Sequence, residues 1–280
     1  MFGLGAIPSL LQLVALFFCS ESPSWLLSKG KDKASFAVLE QLRRDHEWES
    51  HLKEMKSSAH FKQGTSWGLL FSSQYMRVLL IGLILSVFQQ ITGINTVIYF
   101  APEIFRQAGF TGETASLLPT MGIGILNIIA TTLSLILLDR SGRRILLQIG
   151  TFGMLISLVL FVWALMMNHS STALISTMSI FGYVFFFSMS LGPVTWVVLA
   201  EIYPLRIRGT AMAIVIFANW LANYLLTLTF LDLLDLLTAA GTFGLFALLS
   251  GLAWWFITKF LPETKGKTLE QIEKLMCKKT

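Results

Sequence analysis

Six side-chain amides stand inside long apolar stretches of this sequence, and its chemistry can be read from them first. Gln89, Gln90 and Asn95 share one stretch and Asn127 lies in the next. Asn219 and Asn223 lie in a later one, where a spacing of four puts both on one helix face. A carboxamide offers both donors and an acceptor. A sugar hydroxyl also donates and accepts, so amides converging on one space suit a neutral, polyhydroxylated solute. An indole such as that of Trp196 or Trp220 could cover the C–H face of a sugar ring while excluding water. The plainer reading is that each amide bonds one helix to another. Six amides in three stretches, with tryptophans among them, favour a pocket.

Other chemistries find less support. The sixteen carboxylates all fall away from the centres of the apolar stretches. Intramembrane acids mark ion pathways, and none is placed to carry a proton here. His46, His51, His60 and His169 lie outside the stretches too, so neither a buried histidine relay nor a membrane-embedded enzyme is indicated. Cys19 and Cys277 form no disulfide or metal pattern, and no cofactor is implied.

The elements that must position the amides are long. The chain has 280 residues, 54% hydrophobic and only 13% charged, where a soluble domain carries about 25% charged residues. Seven apolar stretches approach the ~20 residues a spanning helix needs: 3–19, 77–100, 116–138, 145–167, 172–200, 209–231 and 239–261. The fold class expected is an all-α membrane protein. Residues 20–76 are polar, and from Lys33 to Ser58 the apolar positions recur at near-helical spacing, which predicts one or two amphipathic helices at the membrane surface. Assigning loops alternately to two sides leaves 20 of the 21 Lys and Arg on one side, with only Arg106 on the other. The positive-inside rule then places the long loop and the C-terminus in the cytoplasm.

Six short motifs resemble those of the sugar porter family of the major facilitator superfamily, in the family's order. Ser20-Glu21-Ser22-Pro23-Ser24-Trp25-Leu26 is similar to its PESPRWL, with Ser24 where the family has arginine. Gln89-Gln90-Ile91-Thr92-Gly93-Ile94-Asn95 is similar to QQxSGxN. The others are Asp139-Arg140-Ser141-Gly142-Arg143-Arg144, Gly192-Pro193-Val194-Thr195-Trp196, the loop from Glu201 to Gly209, and Pro262-Glu263-Thr264-Lys265-Gly266. The resemblance is strongest to bacterial pentose, hexose or inositol proton symporters.

That resemblance implies a division of the chain. Residues 1–19 correspond to a remnant of transmembrane helix six, and 20–76 to a cytoplasmic linker with amphipathic helices. Residues 77–261 correspond to the six-helix C-terminal half and 262–280 to a cytoplasmic tail. The chain would then lack the family's first five helices and need an N-terminal half as partner, besides membrane lipid and a sugar or polyol substrate. The resemblance also implies roles. Gln89, Gln90, Asn95, Asn127, Trp196 and Asn219 would contact sugar, with Tyr99, Trp220 and Asn223 in the same cavity. Glu21, Asp139, Arg143, Arg144, Glu201 and Arg208 would form an ion-pair network that latches one conformational state. The family symporters' proton-binding acid lies on helix one, which this chain would not contain. Two other readings stand beside transport: a sugar sensor, which usually carries a longer tail than the one after Pro262, and an inactive fragment.

Overall fold

The computed structural model describes residues 2–42, 67–107, 113–167, 172–204 and 207–267, with positions 271, 272 and 276 of the C-terminal segment. The chain divides into two compact units, Met1–Ser66 and Trp67–Thr280.

The first unit holds α1 (Phe2–Leu16), α2 (Pro23–Ser28) and α3 (Asp32–Leu42). Asp32 in the first turn of α3 favours the positive end of the helix dipole. Leu26, Leu27 and Leu39 are buried where α2 meets α3, and the Ser35 hydroxyl donates to the Pro23 carbonyl at 2.9 Å. The expected amphipathic segment is therefore helical over its first part, and its remainder lies outside the described residues.

The second unit holds α4 (Trp67–Leu70), α5 (Ser73–Ile91), α6 (Ile94–Tyr99), α7 (Ala101–Gln107), α8 (Glu113–Ser141), α9 (Arg143–Met166), α10 (Thr172–Met189), α11 (Leu191–Ile202) and α12 (Arg208–Phe260). Among the described residues, five spans are long and apolar enough to cross a membrane, and the last of them is 53 residues long. That length suffices for two crossings, and α12 folds back on itself. Phe230 and Phe246 stack with centroids 6.4 Å apart, whereas 16 residues of straight helix would separate them by about 24 Å. The reversal is at Thr238, whose φ of 62° and ψ of 169° are non-helical, and the Thr242 hydroxyl bonds the Leu233 carbonyl across it at 2.9 Å. The stretches expected at 209–231 and 239–261 are thus the two limbs of one hairpin.

Helices in lipid gain little from hydrophobic attraction to one another, so close backbone approach carries much of their packing. Here α9 packs between α10 and α12, and α12 also packs on α5. At Gly82 on α5, a Cβ would overlap the hydroxyl of Tyr203, a fully buried residue following α11. At Gly150 on α9, it would overlap the Ser190 side chain between α10 and α11.

Two further spans are interrupted, and these interruptions lie beside the amides. Between α5 and α6, Gly93 adopts φ 94° and ψ 13°, a left-handed conformation open to glycine at little cost. The Thr92 carbonyl released there is recovered by the Tyr183 hydroxyl at 2.9 Å, and the Gly93 carbonyl, bonded by the Val97 amide at 3.0 Å, also accepts from the Thr96 hydroxyl at 2.7 Å. Between α10 and α11, Ser190 leaves helical geometry at φ −126° and ψ −90°, three residues before Pro193, which has no N–H to give.

Candidate functional site

Gln90 and Asn95 flank the Gly93 break. Five residues along an unbroken helix would set them about 140° apart, facing different neighbours. The break turns them together, and Asn95 Nδ2 donates to Gln90 Oε1 at 2.7 Å. From this pair the bonds spread to α12. Gln90 Nε2 donates to Asn219 Oδ1 at 2.9 Å, and Asn95 Nδ2 to Asn223 Oδ1 at 3.0 Å. Asn219 Nδ2 donates to Gln89 Oε1 and to the Ser86 carbonyl, both at 2.8 Å. Gln89 Nε2 then crosses to α11, donating to the carbonyls of Leu191 at 2.8 Å and Gly192 at 3.1 Å. Five of the six expected amides thus form one continuous network on α5, α6 and α12, tied to α11.

The network is unevenly satisfied. Gln89 and Asn219 use both N–H groups and the carbonyl, and they are the most deeply buried of the five. These two act as interhelical ties, as the plainer reading of the sequence expects. At the other end, four hydrogen-bonding positions have no partner among the described residues: one N–H of Gln90, the Asn95 carbonyl oxygen and both N–H groups of Asn223. Asn95 Oδ1 and Asn223 Nδ2 are not among the buried unpaired atoms, so this end of the network is accessible to an incoming solute. Donors and an acceptor side by side match the two-way bonding of a hydroxyl.

The other candidates lie around or away from this end. Tyr99 is one turn after Asn95, and Trp220 follows Asn219; both are exposed. Trp196, on α11, is half-buried. Asn127 stands apart on α8, accepting from the Thr131 hydroxyl at 3.2 Å without bonding to the other amides. A surface depression of about 460 Å³ beside Gly30, Lys31, Asp32, Lys33 and Ala34, in the first unit, carries none of the candidates.

A second polar cluster gathers where α8 ends and α9 begins. Arg143 donates through Nε to Glu201 Oε1 at 3.1 Å, and its Nη2 lies 3.1 Å from the same oxygen. Its Nη1 is 3.7 Å from Asp139, whose side chain is exposed, so this second pair is screened by water. Arg144 bonds the Thr258 carbonyl and Arg208 that of Tyr203, rather than carboxylates. Glu21 belongs to the first unit.

Glu263 completes this cluster, and the sequence reading assigned it no role beyond its motif. Gly142 precedes α9 without a side chain to cap it. Glu263 Oε1 accepts from the Arg143 amide and Oε2 from the Arg144 amide, at 3.0 and 3.2 Å. The amides of Thr264 and Lys265 also bond Oε1, each at 3.0 Å. A carboxylate from the tail thus caps α9, where the helix dipole favours negative charge. Glu263→Gln would weaken the dipole interaction and turn an NH₂ group toward backbone donors. A loss of about 1 kcal/mol is expected, read as a lower melting temperature in detergent. An unchanged melting temperature would show the cap to be dispensable.

At the far end of the bundle, Arg106 pairs with Glu103 at 2.7 Å, and that hydrogen bond and charge raise the guanidinium's already high pKa.

Comparison with known proteins follows the same pattern. The sugar (and other) transporter family matches residues 1–276. The glucose transporter GlcP of Staphylococcus epidermidis is 38% identical over 276 residues, covering 98% of this chain and 61% of that protein. The D-xylose-proton symporter of Escherichia coli K12 is also 38% identical, over 98% of this chain and 56% of its own length. The solved structure of the proton:xylose symporter XylE bound to 6-bromo-6-deoxy-D-glucose superposes with a TM-score of 0.83 at 36% identity, covering 98% of this chain and 58% of that one. The chain therefore spans about three fifths of the length of the relatives it matches.

Proposed function

Because this multi-pass membrane chain belongs to the sugar transporter family, we propose that it forms one wall of a sugar or polyol translocation path working by alternating access, with a pentose, hexose or inositol as the solute. The observation that carries this reading is the cluster of unpaired groups on Gln90, Asn95 and Asn223 at the edge of a saturated amide network. A neutral polyol fits it better than an ion, because the bonding groups at that edge are uncharged amides. Tyr99, Trp196 and Trp220 would flank the sugar ring, and Gln89 and Asn219 would hold the bonding edge in place.

A six-helix half supplies only one side of a midplane site. The exposed aromatics Phe217, Trp220 and Tyr224 on α12 would meet an opposing N-terminal half in the complete transporter. Proton coupling would belong to an acid in that half. The basic loops support a cytoplasmic C-terminus in a bacterial inner membrane. In that setting, Arg143, Glu201, Asp139 and the Glu263 cap would bias the cytoplasmic closure. Arg144 and Arg208, held by carbonyls, would shape the same surface.

The test uses a chimera in which the N-terminal segment of the GlcP relative not covered here is joined to this chain. It is expressed in cells lacking sugar uptake and offered labelled xylose, arabinose, glucose, galactose and inositol. Saturable uptake of at least one is expected. A chimera that inserts normally yet takes up none of the five would refute transport of these sugars. Sugar-dependent tryptophan quenching in that inert protein would instead favour a sensor.

A further inference from the structure

Where α12 ends against the start of α9, two cations lack a carboxylate partner among the described residues. Lys259 lies 5.3 Å from the centroid of Trp255 and 6.0 Å from that of Phe260. Arg144 gives one guanidinium nitrogen to the Thr258 carbonyl, while its buried Nε has no partner. These residues are adjacent through Thr258, whose hydroxyl is also bonded by Gln148 at 3.1 Å. The junction is therefore held firmly; the Glu263 carboxylate there bonds the Arg144 backbone amide, and neither cationic side chain pairs with a carboxylate among the described residues.

Below it, each helix leaves an apolar stripe uncovered. On α9 the stripe is Ile145, Ile149 and Phe152; on α12 it is Leu248, Leu252 and Trp255. The spacings of four and three keep each stripe on one helix face. Phe152 lies 5.6 Å from Trp254, which precedes Trp255 in the chain, so α9 and α12 meet beside the stripes about two turns of α9 from Arg144. Helix ends lie at headgroup depth, where aromatic side chains and snorkelling lysines settle. A cationic pair at that depth above two apolar stripes has the polarity of a lipid molecule.

We propose that this junction binds one anionic phospholipid, its phosphate held between Arg144 and Lys259 and its acyl chains lying along the two stripes. The site is separate from the amide network, and its occupancy does not depend on whether the protein transports sugar. Cation–π contact keeps the Lys259 ammonium at the ring belt rather than extended into water.

Native mass spectrometry of the detergent-purified full chain tests this with palmitoyl-oleoyl phosphatidylglycerol and phosphatidylcholine as probes. Preferential retention of one phosphatidylglycerol is expected. Lys259→Gln should reduce that retention about fivefold; its side chain makes no hydrogen bond that folding needs. Lys267→Gln, in the tail, should leave it unchanged. Equal retention of both lipids, or retention unaffected by Lys259→Gln, would overturn the proposal. So would displacement of the lipid by millimolar inorganic phosphate, which would assign the pair to a free anion.

Discussion

Replacing Gln90 with alanine in the completed chimera is expected to abolish sugar-dependent uptake while the protein still inserts. Gln90 links the two helices that carry the open edge. It accepts from Asn95 and donates to Asn219, and its second N–H is one of the unpaired groups. Alanine removes that donor and leaves Asn219 Oδ1 without its bond. It also frees Asn95, which remains tethered only through Asn223 at 3.0 Å.

The structural cost is about 1–3 kcal/mol, the penalty of buried polar groups left unmet, and in membranes single interhelical bonds often contribute less. Insertion depends on the hydropathy of the whole span, which alanine does not lower, so protein in the membrane fraction should stay near wild-type amounts. The functional cost is larger. A site built to bond hydroxyls loses discrimination steeply once its own groups are displaced. Initial uptake rates, normalised to the amount in the membrane, measure the effect. Wild-type rates at wild-type abundance would remove Gln90 from the pathway and take the pocket with it.

Much of this site was legible in the sequence because polar side chains are costly in lipid and therefore conspicuous. That argument picked out Gln89, Gln90, Asn95, Asn219 and Asn223, and all five meet. It could not rank them. Whether an amide acts as a tie or as an open contact depends on which carbonyls lie opposite, and the Leu191 and Gly192 carbonyls face Gln89 only because α11 begins where it does. The same argument gave Asn127 equal standing, yet its bond runs to Thr131 on its own helix.

Fold features divided along the same line. Hydropathy marks the spans because each is read locally. It separated 209–231 from 239–261, although Thr238 reverses the chain between them without a proline or glycine at that position. Glu263, by contrast, was invisible. A carboxylate just past a helix end says nothing about a cap on a helix that begins 120 residues earlier. Contacts between distant segments follow from assembly, and local spacing does not encode them.

The Gly93 break is where local chemistry and assembly meet, and Gly93→Ala should damage both. An L-residue at φ 94° carries a backbone penalty of roughly 1–2 kcal/mol. The added Cβ would also sit 2.5 Å from two ring atoms of Phe246. That ring cannot easily yield. It is fully buried, meets Phe243 edge-on at 5.7 Å and stacks with Phe230 across the α12 hairpin. Overpacking of such a site adds about 1–3 kcal/mol. If the chain relieves the clash by extending α5 as regular helix, Asn95 swings away from Gln90 and the open edge comes apart. The expected result is a melting temperature several degrees lower in detergent, with uptake by the chimera lost. Removing the ring in Gly93→Ala/Phe246→Ala should restore part of the stability relative to the two single variants summed, because it relieves the clash but leaves the backbone penalty. Strict additivity would mean that Phe246 does not constrain position 93. A Gly93→Ala protein as stable and as active as wild type would show that the break, and the meeting of Gln90 with Asn95 that depends on it, does not require the left-handed turn.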